Sequence, residues 1–255
     1  MTAVLSTRGI SVSFGGVKAV REVDLDVEPG QLVGLIGPNG AGKTTFVDAI
    51  TGFVPHDGTV MLNGVDITGM PPHLRARRGL ARTWQAIELF DDLTVTENLT
   101  AAAHHPSLIA TVKQLFGGRV NHSKEVHEIL EEFSLTDVAE ATPDELTQGQ
   151  RKMVAVARAL AAKPTLLLLD EPAAGLDATE SAEFAKNLRG IVDRGTPTLL
   201  IDHDMGLVLG ICDQIVVIEF GEVIAKGTPA EVRKDPRVVK AYLGSAAETL
   251  EEEVA

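Results

Sequence analysis

From Leu5 to Phe14 apolar and polar residues alternate loosely, Gly15-Gly16 turns the chain, and Val23-Asp-Leu-Asp-Val27 alternates strictly. A period of two is that of a half-buried strand. After the Pro29-Gly30 turn, Leu32-Val-Gly-Leu-Ile36 is an unbroken apolar run, which predicts a strand buried on both faces. A glycine-rich segment follows, then a helical pattern over Lys43 to Thr51. Strand, loop and helix in that order open a βαβ unit. Thr59 to Leu62, closed by Asn63-Gly64, predicts a hairpin strand.

The period then changes. Val126, Ile129, Leu130 and Phe133 recur at i, i+3, i+4 and i+7 within Ser123 to Phe133, with Glu125, Glu128, Glu131 and Glu132 between them. That predicts an amphipathic helix, its acids on a solvated face. Gln150 to Ala162 predicts another, so Glu88 to Ala162 reads as a mainly helical insert. Strand patterns return at Leu166 to Leu169, Thr198 to Ile201 and Ile215 to Ile218. Between them lie helical patterns at Asp177 to Gly195, with the capping pair Asp177 and Glu180, and at Met205 to Ile211. Strands alternating with helices predict an α/β fold with a mostly parallel sheet.

Composition narrows the function classes. The 255 residues carry 23 Lys and Arg against 36 Asp and Glu, a net charge of −13. So acidic a chain suits neither non-specific nucleic-acid binding nor a generally anionic membrane surface. An anionic ligand must be met by local cations and backbone N–H groups. Cys212 is the single cysteine; no internal disulfide is possible, which suits a reducing compartment. No secretion signal and no run of about 18 apolar residues is visible, so the expectation is a soluble, cytosolic protein.

Gly37-Pro38-Asn39-Gly40-Ala41-Gly42-Lys43-Thr44 fits the pattern G-x-x-x-x-G-K-[ST] and lies between the buried strand and the first helix. Glycines let such a loop curl so that successive N–H groups converge on phosphate oxygens, and the helix that follows adds its positive end. Lys43 supplies a point charge for the β- and γ-phosphates, and Thr44 offers a hydroxyl to Mg²⁺. The plain alternative is a glycine-rich turn. Leu166-Leu-Leu-Leu169-Asp170-Glu171 sets two carboxylates at the end of a buried strand. The functional reading is that Asp170 holds Mg²⁺, directly or through water, while Glu171 polarises the water that attacks the γ-phosphate. The alternative is a surface acid pair.

With these two motifs in place, the chain resembles the ATP-binding subunits of ABC transporters over nearly its whole length. The resemblance implies a P-loop NTPase core with an antiparallel β subdomain and a helical insert. It implies one domain over 1–244, with 1–87 and 163–244 as catalytic core and β subdomain, 88–162 as helical subdomain, and an acidic tail over 245–255. Leu146-Thr147-Gln148-Gly149-Gln150 sits where that family has its signature, which meets the γ-phosphate of ATP bound to the opposite subunit. Thr147 replaces a serine there and Gln148 a glycine. Phe14 matches the aromatic that stacks on adenine; the alternative is a core phenylalanine. Thr45 continues the nucleotide-binding loop. Gln85 matches the glutamine that touches Mg²⁺ and the attacking water and links catalysis to the membrane subunits. Ala174-Gly-Leu-Asp177 matches the loop that contacts the other subunit, a role compatible with Asp177 as a helix cap. His203 matches the histidine that senses the γ-phosphate, although Asp202 stands where glutamate is frequent. A metal site of Asp202, His203 and Asp204 is the competing idea.

The resemblance extends to a branch. Arg82-Thr-Trp-Gln85, Leu89-Phe90, Leu93 to Leu99, Asp202-His-Asp-Met205, Gly227-Thr-Pro229 and Ala241-Tyr-Leu-Gly244 look like the branched-chain amino acid importer ATPases. Lipopolysaccharide-export ATPases share some of these stretches, and a soluble ABC ATPase outside transport is a further reading. The importer reading implies ATP and Mg²⁺ as cofactors, a homodimer or a heterodimer with a related ATPase, two membrane-spanning permease subunits and, indirectly, a solute-binding protein. It places the chain on the cytoplasmic face of the cell membrane, without nucleic acid. Arg75, Arg77, Arg78 and Arg82 form a basic run, read as a solvated face, with shielding of nucleotide or a permease contact as alternatives. His104-His105 reads as a loop or helix-surface pair.

Overall fold

The computed structural model describes residues 2–84, 89–103 and 124–242. Strands β1 (Leu5–Phe14) and β2 (Val17–Val27) pair antiparallel across the Gly15-Gly16 turn, and β4 (Asp57–Leu62) pairs with the other edge of β1. Asn63 and Gly64, both at positive φ, turn the chain into the two-residue β5 (Val65–Asp66). The sheet order is β2-β1-β4-β5. Register shifts between Thr7 and Ile10 and between Ile10 and Val12 slip the side-chain phase of β1, which is why its alternation reads as loose. β2 begins at Val17, well before the strict alternation at Val23, because its exposed early half still pairs with β1.

The second sheet has the order β10-β9-β3-β8-β7-β6. It comprises β3 (Leu32–Ile36), β6 (Leu80–Arg82), β7 (Leu166–Asp170), β8 (Thr198–Ile201), β9 (Gln214–Glu219) and β10 (Glu222–Gly227). All pairs in it are parallel except β9 with β10. Every residue of β3, β7 and β8 is buried. Val33 and Leu35 face a core shared with the first sheet and with Phe46, Val47 and Ile50 of α1 (Lys43–Thr51). Leu32 and Ile36 face a second core with the helices of the opposite layer. Unbroken apolar runs are thus strands covered on both sides. The short β6 and the edge strand β10, with its Glu222 and Lys226, carry no legible period.

Helix α2 (Pro72–Arg77) lies before β6. The insert supplies α3 (Val95–Ala103), α4 (Lys124–Glu132) and α5 (Gln148–Ala161), whose apolar faces join the second core through Val95, Leu99, Val126, Leu130, Val154 and Ala157. α6 (Ala178–Asp193) covers the same face through Phe184, Leu188, Ile191 and Val192, followed by α7 (Met205–Ile211) and α8 (Pro229–Val232). α5 starts two residues earlier than the sequence pattern suggests, because a capping box at Thr147 draws Gln148 and Gly149 into its first turn. His104-His105 and the acidic tail lie outside the described residues. Among the described residues no helix is long and apolar enough to cross a membrane.

Candidate active site

The glycine-rich loop leaves the end of β3, where both faces of the strand are fixed. Gly37 sits at φ +155°, and a Cβ there would stand 2.0 Å from the Ile218 carbonyl oxygen of β9, so only glycine lets the loop pass. Gly42 caps α1 at φ +101°, with the Ala19 oxygen 2.4 Å from where a Cβ would lie. Ala41 N–H donates to the Pro38 oxygen at 3.1 Å, and Gly221 N–H donates to the Ala41 oxygen at 2.9 Å, bracing the loop from outside. Asn39 and Gly40 are exposed at its crest, Thr44 is exposed on the first turn of α1 and Thr45 half-buried beside it. Buried Lys43 donates from Nζ to the oxygens of Gly37 at 2.7 Å and Pro38 at 3.0 Å. Burial pushes its pKa below the ordinary lysine value, and the charges of Glu171, Asp170 and Asp202 oppose that shift.

The far end of α1 is held by Arg75, which is only 2% exposed. Its guanidinium donates to the carbonyls of Ala49 at 3.0 Å and Ile50 at 2.7 Å, and to those of Met70 and Thr68 at 2.8 and 2.6 Å. A cation on the last carbonyls of a helix satisfies its orphan acceptors and its dipole together. The basic run therefore divides. Arg77 and Arg78 are exposed, whereas Arg75 and Arg82 point into the protein.

Asp170 ends β7 and is buried. Arg82 Nη2 donates to its Oδ2 at 2.8 Å, while Arg82 Nη1 reaches Asp48 Oδ1 at 2.5 Å and Thr51 Oγ1 at 3.3 Å on α1. Glu171 follows at φ +48°, a conformation non-glycine residues seldom adopt, and its N–H donates to the Ile201 oxygen at 2.8 Å. Glu171 Oε2 stands 3.7 Å from Nδ1 of the half-exposed His203. Asp202 Oδ1 accepts the N–H groups of His203 at 2.8 Å and Asp204 at 3.0 Å, and so shapes the turn that presents His203. Among the described residues no three His, Cys, Asp or Glu gather to hold an ion. Mg²⁺ fits a different donor set, one carboxylate and one hydroxyl sharing the ion with phosphates and water, and Asp170 and Thr44 are of that kind.

The segment Leu146 to Gln150 caps α5. Thr147 Oγ1 accepts Gln150 N–H at 3.1 Å, and Gln150 Oε1 accepts Thr147 N–H at 2.9 Å. A Cβ on Gly149 would lie 2.4 Å from Glu180 Oε1, and one on Gly175 would lie 3.3 Å from Gln148 Nε2. The side chain of Gln148 therefore turns toward the Ala174–Asp177 loop of its own chain. Asp177 Oδ1 caps α6 by accepting the N–H groups of Thr179 and Glu180. Lys152 of α5, unremarked in the sequence, is buried and donates to the Ala174 carbonyl. Burial lowers its pKa against the pull of Asp202 and Glu171. Phe14 is 52% exposed at the end of β1, not a core residue. Gln85 lies outside the described residues.

Lys43 feels the fields of Asp170, Glu171 and Asp202, and His203 adjoins Glu171; the sequence motifs meet at the ends of β3, β7 and β8. A phosphate loop and an acid pair at neighbouring ends of a mostly parallel sheet define a P-loop ATPase. The chain belongs to the ABC transporter family, whose model matches residues 20–174, and it is an ATP-binding and ATP-hydrolysing subunit of that class. A model described as branched-chain amino acid ATP-binding cassette transporter matches residues 222–248. The high-affinity branched-chain amino acid transport ATP-binding protein BraF of Pseudomonas aeruginosa is 40% identical, over 95% of this chain and 98% of its own. The lipopolysaccharide export system ATP-binding protein LptB of Escherichia coli is 34% identical over 95% and 98%. Among solved structures, the ADP conformation of MJ1267, an ATP-binding cassette of an ABC transporter, has a TM-score of 0.82 and 30% identity, covering 96% of this chain and 100% of that one.

Proposed function

We propose that this subunit powers the uptake of branched-chain or related amino acids through separate membrane permease subunits, working from the cytoplasmic face. The observation that carries the solute class is the match of the C-terminal segment 222–248 to the branched-chain amino acid cassette model, joined to the higher identity with BraF than with LptB.

In this reading the loop from Gly37 to Thr45, through its unpaired backbone N–H groups, and the ammonium of Lys43 cradle the triphosphate, and Phe14 supports the adenine. Asp170, Thr44 and Gln85 would hold Mg²⁺, which when bound supplies charge against the β- and γ-phosphates. Glu171 takes a proton from the attacking water, and His203 reads the γ-phosphate. Thr147, Gln148, Gly149 and Gln150 serve the nucleotide of a second ATPase subunit, identical or related, with Asp177 at that contact. A cleft of about 360 Å³, lined by Phe53, His73, Leu80 and Trp84, opens beside the segment that leads to Gln85. Its exposed aromatics suit a permease segment. A solute-binding protein delivers the amino acid outside.

The test is reconstitution in liposomes with a branched-chain amino acid permease pair and solute-binding protein. ATP-dependent accumulation of labelled leucine, lost in Glu171→Gln, is expected. Coupled ATPase without leucine uptake would reject the solute class.

A further inference from the structure

One side chain touches three parts of the site at once. Arg82 is buried beneath the cleft, with a guanidinium that grips Asp170 on β7 by one nitrogen and Asp48 on α1 by another. Its guanidinium carbon lies over the Trp84 ring, 4.1 Å from the ring centre. Trp84 in turn meets the Phe53 ring edge-on at 4.9 Å, and both rings are exposed, by 41% and 53%. Among the described residues Arg82 Nε has no hydrogen-bond partner, so the fork is held by its two terminal nitrogens alone. No other cation pairs with Asp170 among the described residues.

We propose that Arg82 is a positioning residue that couples Asp170 to the Phe53–Trp84 cleft. The inference rests on the reading of Asp170 as the Mg²⁺ carboxylate. Arg82 holds Oδ2 and thereby aims the other oxygen of Asp170. The guanidinium and a divalent cation are rivals for the electrons of one carboxylate, so ligation by Asp170 loosens its grip on Arg82. The guanidinium then shifts toward Asp48 and changes its stacking on Trp84. Linkage runs both ways: an occupant that displaces Trp84 alters how Asp170 is held. A lysine cannot replace this link, because it has neither the planar fork nor the stacking face.

Trp84 is the single tryptophan of the chain, so its emission reports the contact directly. The full-length protein is titrated with ATP in Mg²⁺ and with ATP in EDTA, following Trp84 emission and, by calorimetry, nucleotide affinity. Wild type is expected to change emission with Mg²⁺ and ATP together, and to show less than about one third of that change in EDTA. At saturating ATP and Mg²⁺, Arg82→Lys is expected to lose more than about half of the emission change. Arg82→Met is expected to lose nearly all of it; if that variant does not fold, Arg82→Lys decides. A full wild-type emission change in Arg82→Lys, or a wild-type response that needs no Mg²⁺, overturns the coupling while leaving the ATPase reading intact. Absence of ATP binding by wild type would instead remove the functional reading beneath it.

Discussion

Glu171 and His203, from the ends of adjacent strands β7 and β8, face each other with Oε2 and Nδ1 3.7 Å apart. The acid is held by a backbone conformation rare for glutamate and by its N–H on Ile201; the imidazole is held by the turn built on Asp202. The main chain of both residues is therefore fixed where their side chains begin. Replacing the Glu171 carboxylate with an amide keeps the shape and removes the proton acceptor. Glu171→Gln is expected to bind ATP with near wild-type affinity and to hydrolyse it about 10²–10⁴-fold more slowly, read by phosphate release. Turnover close to wild type would show that another group is the base.

Lys43 contributes a buried ammonium to a loop already rich in N–H donors. Lys43→Ala is expected to weaken ATP binding by at least about tenfold, measured by calorimetry, because a charge-assisted contact to phosphate is lost. Its lowered pKa adds a sign. As pH rises toward and past that value, the ammonium loses its proton before an ordinary lysine does, so ATP affinity is expected to fall earlier on the alkaline side than a lysine at its ordinary value of 10.5 would give.

Arg75 predicts stability rather than turnover. Arg75→Ala strips hydrogen bonds from four buried or half-buried carbonyls and leaves a cavity at the end of α1. A loss of about 2–4 kcal/mol in urea unfolding is expected. A change within about 0.5 kcal/mol would mean that water or Arg78 replaces the cap.

Cys212 packs against Gly34 of β3, and burial pushes its thiol up to about 12. At pH 8 the thiolate is then about one part in ten thousand, so the native protein is expected to resist a disulfide exchange reagent for hours. Full reaction is expected on addition of denaturant. Rapid labelling of native protein would place the thiol at the surface.

The motifs of this site were legible because they join chemistry to position. Gly37 to Thr44 announces itself by a spacing that main-chain geometry demands, and Asp170-Glu171 by ending a wholly apolar strand. Helices with one apolar stripe, such as Lys124–Glu132, were equally plain. What the sequence hid is where a side chain turns. Arg75 and Arg82 read like their exposed neighbours Arg77 and Arg78, since nothing local tells a guanidinium that faces water from one that faces carbonyls or carboxylates. The partners Ala49, Ile50 and Asp170 lie 26, 25 and 88 residues away. Asp202 was visible as a departure from a family pattern and as part of a competing metal site, although its backbone bonds explain why a short acid suits that turn. Lys152 left no signal, because a lysine on an amphipathic helix is normally solvated.

Helix α1 is gripped at both tips, by the tight glycine turn at Gly42 and by the Arg75 fork on Ala49 and Ile50. The phosphate loop and the Thr68–Arg75 corner are therefore the two anchors of one nine-residue helix, and a single continuous element joins the nucleotide pocket to that corner.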